Sequence, residues 1–290
     1  MTSSPALRDA VTSEAQPRVP KLIVSDLDGT FLSPDGTVSP TNSAAVRAAE
    51  AAGVPVVFAT GRPIRWLDVI RGLPGAHPTV IASNGAVLYD LGEAEVLDRI
   101  CIEPAVALQA VSAVRRAAPG ATFAFESGVR FGYEATYRLA VSDDGHNPAL
   151  VRGPAENLAR PGDAVKMLVQ HLQMSSDELL ERVREAVAET LTVTHSATTA
   201  HGLVEVSAPG VSKASMLQRI CAGLRLEAAD VAAFGDMPND LEMLNWVGLP
   251  HVVANAHPQL LGLGFTVVPG NGESGVGHTI SRWMQGHWDV

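Results

Sequence analysis

Short apolar runs alternate with polar, alanine-rich segments near the start of the chain. The runs at 54–59 and 79–82 follow an earlier one at Leu22–Val24, and each run ends at a polar cluster. Runs of this kind, closed by turn residues, predict buried strands. Between the first two runs, residues 40–52 begin with capping residues, are rich in alanine and end at Gly53, which predicts a helix. Strands that alternate with helices indicate a parallel sheet with right-handed crossovers.

The pattern changes after the third run. Paired short runs around turn residues predict hairpins, and longer periodic stretches predict helices. The predicted elements are hairpins at 87–102 and 123–133, helices at 104–118 and 177–190, and strands at 164–173, 191–195 and 203–207. Residues 136–162 are polar and rich in Pro and Gly, and they give no assignment. We therefore predict an α+β domain at 88–195, inserted into a core domain formed by residues 21–87 and 196–290.

The α/β pattern resumes after this insertion. A helix is predicted at 212–224 with Lys213 in its first turn, and a buried strand is predicted at 231–234. Shorter helices and strands follow, at 239–245, 251–253, 258–262, 265–268 and 275–285. The predicted fold class is α/β, with a Rossmann-like parallel-sheet core that carries an α+β domain.

The composition is that of an acidic globular protein. Lys and Arg number 21, Asp and Glu number 31, and the formal net charge is −10. Because the chain also has no long basic run, nucleic acid and anionic membranes are not expected as partners. No apolar run reaches the roughly 18 residues of a membrane span, and residues 1–20 lack the pattern of a secretory signal. We expect a cytoplasmic protein whose residues 1–20 form a disordered tail.

Three of the apolar runs end in polar side chains that could bind a ligand or take part in catalysis. Asp26 and Asp28 follow the first run, Thr60 follows the second, and the run at 231–234 leads into a cluster with Asp236, Asn239 and Asp240. In an open parallel sheet the active site lies at the carboxyl ends of the strands. If the three strands are neighbours, their clusters converge. The glycine-rich fingerprints of nucleotide-binding loops do not occur in the chain.

Convergence would place four carboxylates in one pocket. At a separation of a few ångströms, each carboxylate pair costs about 4 kcal/mol at a moderate effective dielectric constant. Arg62 and Lys213 are the nearby cations that the sequence offers. Ligand sets made only of oxygen suit Mg²⁺, which commonly combines one or two carboxylates with water and a phosphate oxygen. The cluster therefore predicts Mg²⁺ and a phosphoryl ligand.

Ordinary structural explanations stand beside these interpretations. The two aspartates of the first loop could form a solvated Asx turn, and Thr60-Gly61 could be a simple turn from strand to helix. Arg62 is as compatible with an ion pair as with a substrate contact. A tight Asn-Gly turn explains Asn84 as well as a role in the site does. Lys166 is interpreted as a lysine on the face of a sheet rather than as a substrate contact.

Together the motifs resemble the haloacid dehalogenase superfamily of phosphohydrolases, and in particular its Cof-type branch. The segments that carry the resemblance are Asp26-Leu27-Asp28-Gly29-Thr30, Ala59-Thr60-Gly61-Arg62, Ser83-Asn84-Gly85-Ala86, Lys213, Gly235-Asp236-Met237-Pro238-Asn239-Asp240 and Val253-Ala254-Asn255-Ala256-His257-Pro258. They occur in the order and spacing of that family, over residues 21–285. The insertion falls where members of the superfamily with a type II cap domain carry that cap, and its α+β pattern agrees with type IIB.

The resemblance implies a role for each motif residue. Asp26 would be the nucleophile that forms an aspartyl-phosphate, and Asp28 would act as general acid and base. Mg²⁺ would be held by Asp26, by the main-chain carbonyl of Asp28 and by Asp236. Phosphate contacts would come from Thr60, Gly61, Lys213 and Asn239, orientation from Asn239 and Asp240, and further substrate contacts from Arg62 and Asn84.

The sequence thus predicts a Mg²⁺-dependent phosphatase of a small phosphorylated metabolite, such as a sugar phosphate. Two alternatives stay open: a phosphotransferase or phosphomutase on the same scaffold, and a non-catalytic phosphate-binding regulatory protein. The cap, including residues 136–162, is expected to choose the substrate. The sequence does not determine the oligomeric state.

Overall fold

The computed structural model describes residues 19–128, 130–139, 150–159, 164–187, 190–195 and 201–287. The strands within these ranges, in chain order, are β1 (Leu22–Ser25), β2 (Val56–Ala59), β3 (Ala76–Ala82), β4 (Val87–Asp90), β5 (Glu95–Arg99), β6 (Thr122–Glu126), β7 (Phe131–Tyr133), β8 (Leu150–Arg152), β9 (Lys166–His171), β10 (Thr192–Thr194), β11 (Gly202–Ser207), β12 (Val231–Gly235), β13 (Leu249–Val253) and β14 (Thr266–Val268). The α-helices are α1 (Pro40–Ala51), α2 (Asp68–Arg71), α3 (Pro104–Ala117), α4 (Ala155–Leu158), α5 (Ser176–Val187), α6 (Lys213–Leu224), α7 (Leu241–Trp246), α8 (Pro258–Leu261) and α9 (Gly275–Met284). The predicted disordered tail lies outside the described residues except for its last two positions.

The first sheet forms the core and has the strand order β14-β13-β12-β1-β2-β3-β4-β5. The strands from β14 to β3 run parallel, and β4 and β5 extend the sheet as an antiparallel edge. Every residue of β1, β2 and β12 is buried, as expected for parallel strands covered on both faces. Because β1 pairs with β2 on one side and with β12 on the other, the three polar clusters lie at adjacent strand ends.

The second sheet forms the cap and has the order β10-β11-β9-β6-β7-β8. Its strands are antiparallel except for the pair β7 and β8. Helices α3 and α5 pack against each other, and α5 also packs against β10 and β11. The cap is therefore a two-layer α+β unit, and the predicted α/β fold class with an α+β cap is confirmed.

The strands near both predicted boundaries of the insertion can be assigned to a sheet. The strands β4 and β5 belong to the core sheet, because a tight turn folds β4 back onto β3 and pairs Ala82 with Val87. At the other end β11 lies in the cap sheet between β9 and β10. The strands of the second sheet and the helices that pack on it thus come from a segment that begins with α3 and ends with β11, and the division at 88–195 stays a prediction. Where it is described, the unassigned stretch 136–162 contributes β8 and α4 to this segment.

Among the described residues, no helix combines the length and the apolar character that crossing a bilayer requires.

His251 of β13 is a buried histidine in the core. Its ring stacks on Phe234 at a centroid distance of 5.0 Å and meets Trp283 edge-on at 5.2 Å. Its Nδ1 donates a hydrogen bond to the Leu249 carbonyl at 3.0 Å. Burial among these rings lowers the pKa of His251 to about 4.

Because of this histidine, the free energy of unfolding is expected to decrease as the pH is lowered. The unfolded chain takes up a proton at His251 below its ordinary pKa of about 6.5, while the folded chain resists protonation down to about 4. Acidification from pH 7 to pH 5 should therefore cost wild type on the order of 2 kcal/mol through this residue. Urea denaturation of wild type and of His251→Gln at both pH values measures this loss in the free energy of unfolding. Equal losses in the two proteins would contradict the assignment.

Candidate active site

The carboxyl ends of β1, β2 and β12 bring the predicted site residues together. Asp26, Thr60 and Asp236 follow these three strands and are all buried. The loop after β1 turns back at Gly29, whose φ is +78°, and a Cβ at this position would lie 2.2 Å from Asp236 Oδ2. The close approach of the two loops therefore requires glycine.

Lys213 is the central cation of the pocket. It is the first residue of α6, which begins at the Ser212 cap, and its side chain is fully buried. Its Nζ donates to Asp26 Oδ1 at 2.5 Å and to Asp240 Oδ1 at 2.6 Å. Burial alone lowers the pKa of Lys213, but the two carboxylates outweigh that effect and raise it. The lysine therefore stays charged between the two aspartates.

Asp240 is hydrogen-bonded through both of its carboxylate oxygens. While Oδ1 accepts from Lys213, Oδ2 accepts the main-chain N–H groups of Asp236 and Met237 at 3.0 and 3.1 Å. Both carboxylate oxygens thus have protein partners, and the orienting role of Asp240 stays a prediction.

The carboxylates of Asp26 and Asp236, beside Asp240, fit a divalent cation. Oxygen atoms of Asp26, Asp236 and Asp240 all lie within 4.8 Å of one another. Burial, opposed by Lys213, raises the pKa of Asp26 well above its ordinary value. Burial, reinforced by Asp240, raises the pKa of Asp236 to about 7, even though Thr30 donates to it at 2.8 Å. A hard cation would favour the ionised form of both groups, and the donor set contains only oxygen, which suits Mg²⁺.

Asp28 lies at the mouth of the pocket and is held by Arg62. Arg62 Nε and Nη2 donate to Asp28 Oδ2 and Oδ1 at 2.7 and 2.6 Å, and Nη1 donates to the Trp66 carbonyl at 3.1 Å. The Asp28 side chain is 53% exposed. Thr60 Oγ1 accepts the Arg62 main-chain N–H at 3.0 Å. Of the two interpretations of Arg62, the structure shows the ion pair, and its partner is the predicted acid and base.

Asn84 and Asn239 link the core to the cap. Asn239 Nδ2 donates to Asn84 Oδ1 at 3.0 Å, and Asn84 Nδ2 donates to Glu205 Oε2 of β11 at 2.8 Å. Asn84 adopts the left-handed conformation, with φ +57°. Asn239 Oδ1 is buried and has no hydrogen-bond partner among the described residues. It is therefore an acceptor available to a ligand in the pocket.

The cap contributes charged residues that the sequence analysis did not assign to the site. Lys166 Nζ donates to the Gly61 carbonyl at 2.7 Å and to Glu205 Oε1 at 2.5 Å. Glu126 pairs with Arg65 of the core. All three cap residues are almost fully buried. The sequence feature that could have indicated these residues is that each is a charged side chain in a strand that is otherwise largely apolar.

A cavity of about 870 Å³ separates the core from the cap. Asp26, Asp28, Gly61 and Asn239 line its core side, and the inner face of the cap sheet lines the other. The buried nucleophile candidate therefore faces a space large enough for a small organic ligand.

The chain is similar along nearly its whole length to characterised proteins. Phosphoglycolate phosphatase of Methanothermobacter thermautotrophicus is 26% identical over 264 residues, which cover 91% of this chain and 99% of the relative. The solved structure of a sugar phosphatase of subclass IIB, BT4131, matches with a TM-score of 0.76 at 19% identity, covering 91% of this chain and 98% of that one. A haloacid dehalogenase-like hydrolase of B. subtilis matches with a TM-score of 0.75 at 25% identity, covering 90% and 99%.

The family comparison gives the same result. The model of the family described as haloacid dehalogenase-like hydrolase matches residues 23–280. This match confirms the predicted superfamily, and together with the relatives it supports the predicted class of enzyme, a phosphatase. The chain belongs to the haloacid dehalogenase-like hydrolases.

Proposed function

We propose that this hydrolase is a Mg²⁺-dependent phosphatase that acts on a small phosphorylated metabolite through an aspartyl-phosphate on Asp26. The carrying observation is the position of Asp26, a buried carboxylate at the end of β1 that is bound by Lys213 and faces the cavity. The names of the relatives, a phosphoglycolate phosphatase and a sugar phosphatase, support a phosphate monoester as the substrate.

In the first proposed step, a carboxylate oxygen of Asp26 attacks phosphorus, and the bond from phosphorus to the alcohol oxygen breaks. Asp28 gives its proton to the departing alcohol. Because Arg62 holds both oxygens of Asp28, this ion pair has to open before the carboxyl reaches the leaving oxygen. Lys213 and the Gly61 N–H offset the negative charge that gathers on the phosphoryl oxygens.

In the second step, Asp28 takes a proton from water, and that water attacks the phosphorus of the aspartyl-phosphate. Phosphate leaves and the Asp26 carboxylate is restored. Mg²⁺, held by Asp26, Asp236 and the Asp28 carbonyl, would supply the positive charge that lets the anionic nucleophile and phosphate approach. Asp240 keeps Lys213 and the 236–237 main chain in place throughout.

Phosphate release from 4-nitrophenyl phosphate and from a panel of sugar, nucleotide and cofactor monoesters tests the proposal. Hydrolysis that requires Mg²⁺ supports it. Transfer of the phosphoryl group to an added sugar hydroxyl without release of phosphate would favour a phosphotransferase. A folded protein that binds phosphate esters without turning any of them over would favour the regulatory alternative.

Metal removal is expected to abolish turnover. EDTA should reduce phosphate release to background, and Mg²⁺ should restore it, because the Asp26 and Asp236 carboxylates need a cation to be ionised together. Mg²⁺ should also raise the Tm of the wild type by binding the folded state, and raise that of Asp236→Asn less. An equal rise in both proteins, or activity that survives EDTA, would contradict the proposed ligands.

A further inference from the structure

The loop that follows β13, residues 254–257, contacts both of the loops that carry the proposed metal ligands. The main-chain N–H of His257 donates to the Asp236 carbonyl at 2.8 Å. Asn255 Nδ2 donates to the Gly29 carbonyl, also at 2.8 Å. The loop after β13 therefore binds Asp236 on one side and the residue that follows Asp28 on the other.

The contact between Asn255 and Gly29 joins loops whose strands are not paired with each other. In the core sheet β12 lies between β13 and β1, so that β13 and β1 are two strand spacings apart, about 9.5 Å. Strand pairing therefore does not fix the separation of these two loops directly. Asn255 is exposed and does not line the cavity, so we assign its contact to the arrangement of the loops and not to a substrate.

The orientation of the Asn255 amide is fixed from both ends. Its Oδ1 accepts the main-chain N–H of Asn271 at 2.8 Å, and Nδ2 is left to face the Gly29 carbonyl. Exchange of the amide oxygen and nitrogen would set a donor against the N–H and an acceptor against the carbonyl. Asn271 Nδ2 in turn donates to the Leu32 carbonyl at 2.8 Å. The two asparagines thus bind the loop after β1 at its turn and again at its end.

The turn of this loop is the part that needs such a restraint. Gly29, with φ +78°, has more backbone freedom than any other residue type would have there. The Asp28 carbonyl belongs to the peptide bond on one side of Gly29, and the Gly29 carbonyl belongs to the peptide bond on the other. On that second side the Thr30 side chain donates to Asp236 at 2.8 Å. A hydrogen bond to the Gly29 carbonyl therefore limits the orientations that the Asp28 carbonyl can adopt.

We propose that Asn255 is a positioning residue of the metal site. By binding the Gly29 carbonyl, it keeps the Asp28 carbonyl in place to bind Mg²⁺ together with Asp26 and Asp236. Mg²⁺ demands near-ideal octahedral geometry with short bonds, so a displaced carbonyl weakens binding. Groups that orient metal ligands without touching the metal typically change its affinity about 10- to 100-fold. The inference rests on the metal ligands of the proposed function and adds to them a residue outside the cavity.

Asn255→Ala tests the proposal, because it removes both side-chain hydrogen bonds at an exposed position. We expect the apparent Kd for Mg²⁺, obtained from the rise of Tm with Mg²⁺ concentration and without substrate, to increase roughly tenfold. The Mg²⁺ concentration that gives half-maximal phosphate release should increase by the same factor. Asn157→Ala, at an exposed position of α4 in the cap, is the matched control and should leave both values unchanged.

A purely structural role of Asn255 would give a different result. In that case Asn255→Ala lowers the Tm in EDTA, and its Kd for Mg²⁺ stays at the wild-type value. A Kd within roughly threefold of the wild type therefore overturns the proposal, whatever the change in Tm. A wild type whose Tm does not rise with Mg²⁺ also overturns it, together with the proposed metal ligands.

Failure of the phosphatase function is recognisable separately. In that case the wild type binds Mg²⁺ but hydrolyses neither 4-nitrophenyl phosphate nor any other ester of the panel. The Kd values of wild type, Asn255→Ala and Asn157→Ala are measured without substrate, so they still decide the role of Asn255. Weaker Mg²⁺ binding by Asn255→Ala alone supports the proposal, and equal binding by all three proteins overturns it.

Discussion

Asp26→Asn is expected to lower phosphatase turnover by roughly a thousandfold or more, since it removes the group proposed to form the covalent bond to phosphorus. Asn has the shape of Asp, and Lys213 keeps Asp240 as a partner, so the fold should survive. Release of 4-nitrophenol at saturating Mg²⁺ measures the loss. Mass spectrometry of acid-quenched samples should detect a phosphoryl adduct on the wild type and none on the variant.

Glu178→Gln is a suitable control for this experiment. Glu178 lies on α5 of the cap, is about half exposed, pairs with Arg182 and does not line the cavity. The same change from carboxylate to amide there should leave turnover at the wild-type level. Wild-type turnover in Asp26→Asn itself would show that another group is the nucleophile.

Lys213→Met should have the largest effect on stability. The variant leaves Asp26 and Asp240 buried without the cation between them, and breaking a buried ion pair from one side costs about 3–5 kcal/mol. Turnover should be lost as well, because the phosphoryl charge is no longer offset. Urea denaturation and phosphate release measure the two effects. Stability equal to wild type would mean that the pocket does not depend on this charge.

A double variant separates the two contributions of Lys213. In Lys213→Met/Asp240→Asn one of the two orphaned charges is removed, while the Asn oxygen can still accept the Asp236 N–H. We expect part of the lost stability to return without any return of activity. A double variant no more stable than the single one would contradict the role of charge, and recovered activity would contradict the role of Lys213 in catalysis.

The centre of the candidate site was predictable because each of its parts ends a buried strand. Asp26, Thr60 and Asp236 follow apolar runs, and in a parallel sheet such ends lie on one edge. The sequence does not show that the three strands are neighbours. The structure shows it, because β1 pairs with β2 on one side and with β12 on the other. The order and spacing of the motifs added the roles, which the experiments above test.

The cap side of the site was not predictable in the same way. Lys166 was interpreted as an ordinary sheet-face lysine, and Glu205 received no interpretation. Their contact joins residues 39 positions apart and depends on the register of β9 against β11. The contact of Lys166 with Gly61 depends in addition on how the cap sheet lies over the core. Hydrophobic periodicity and secondary-structure propensity give no information about the strand register or about the position of the cap over the core.

The sheet that each strand joins was not predictable, for a related reason. Alternating residues showed correctly that 87–102 forms a hairpin, but a hairpin pattern does not say which sheet it joins. The hairpin joins the edge of β3 because the turn after Ala82 reverses the chain and brings β4 alongside β3. The same limit applies to β11, whose partners lie on both sides of it in the cap.

The polar contacts between cap and core have a kinetic consequence. Arg65 with Glu126, Lys166 with the Gly61 carbonyl, and Asn84 with Glu205 hold the two parts together. When the parts separate, water hydrates these groups again, and the recovered hydration offsets most of the lost attraction. An interface of this kind can close around a ligand and still open at a modest cost in free energy. We therefore expect that opening of the cap does not make product release slow.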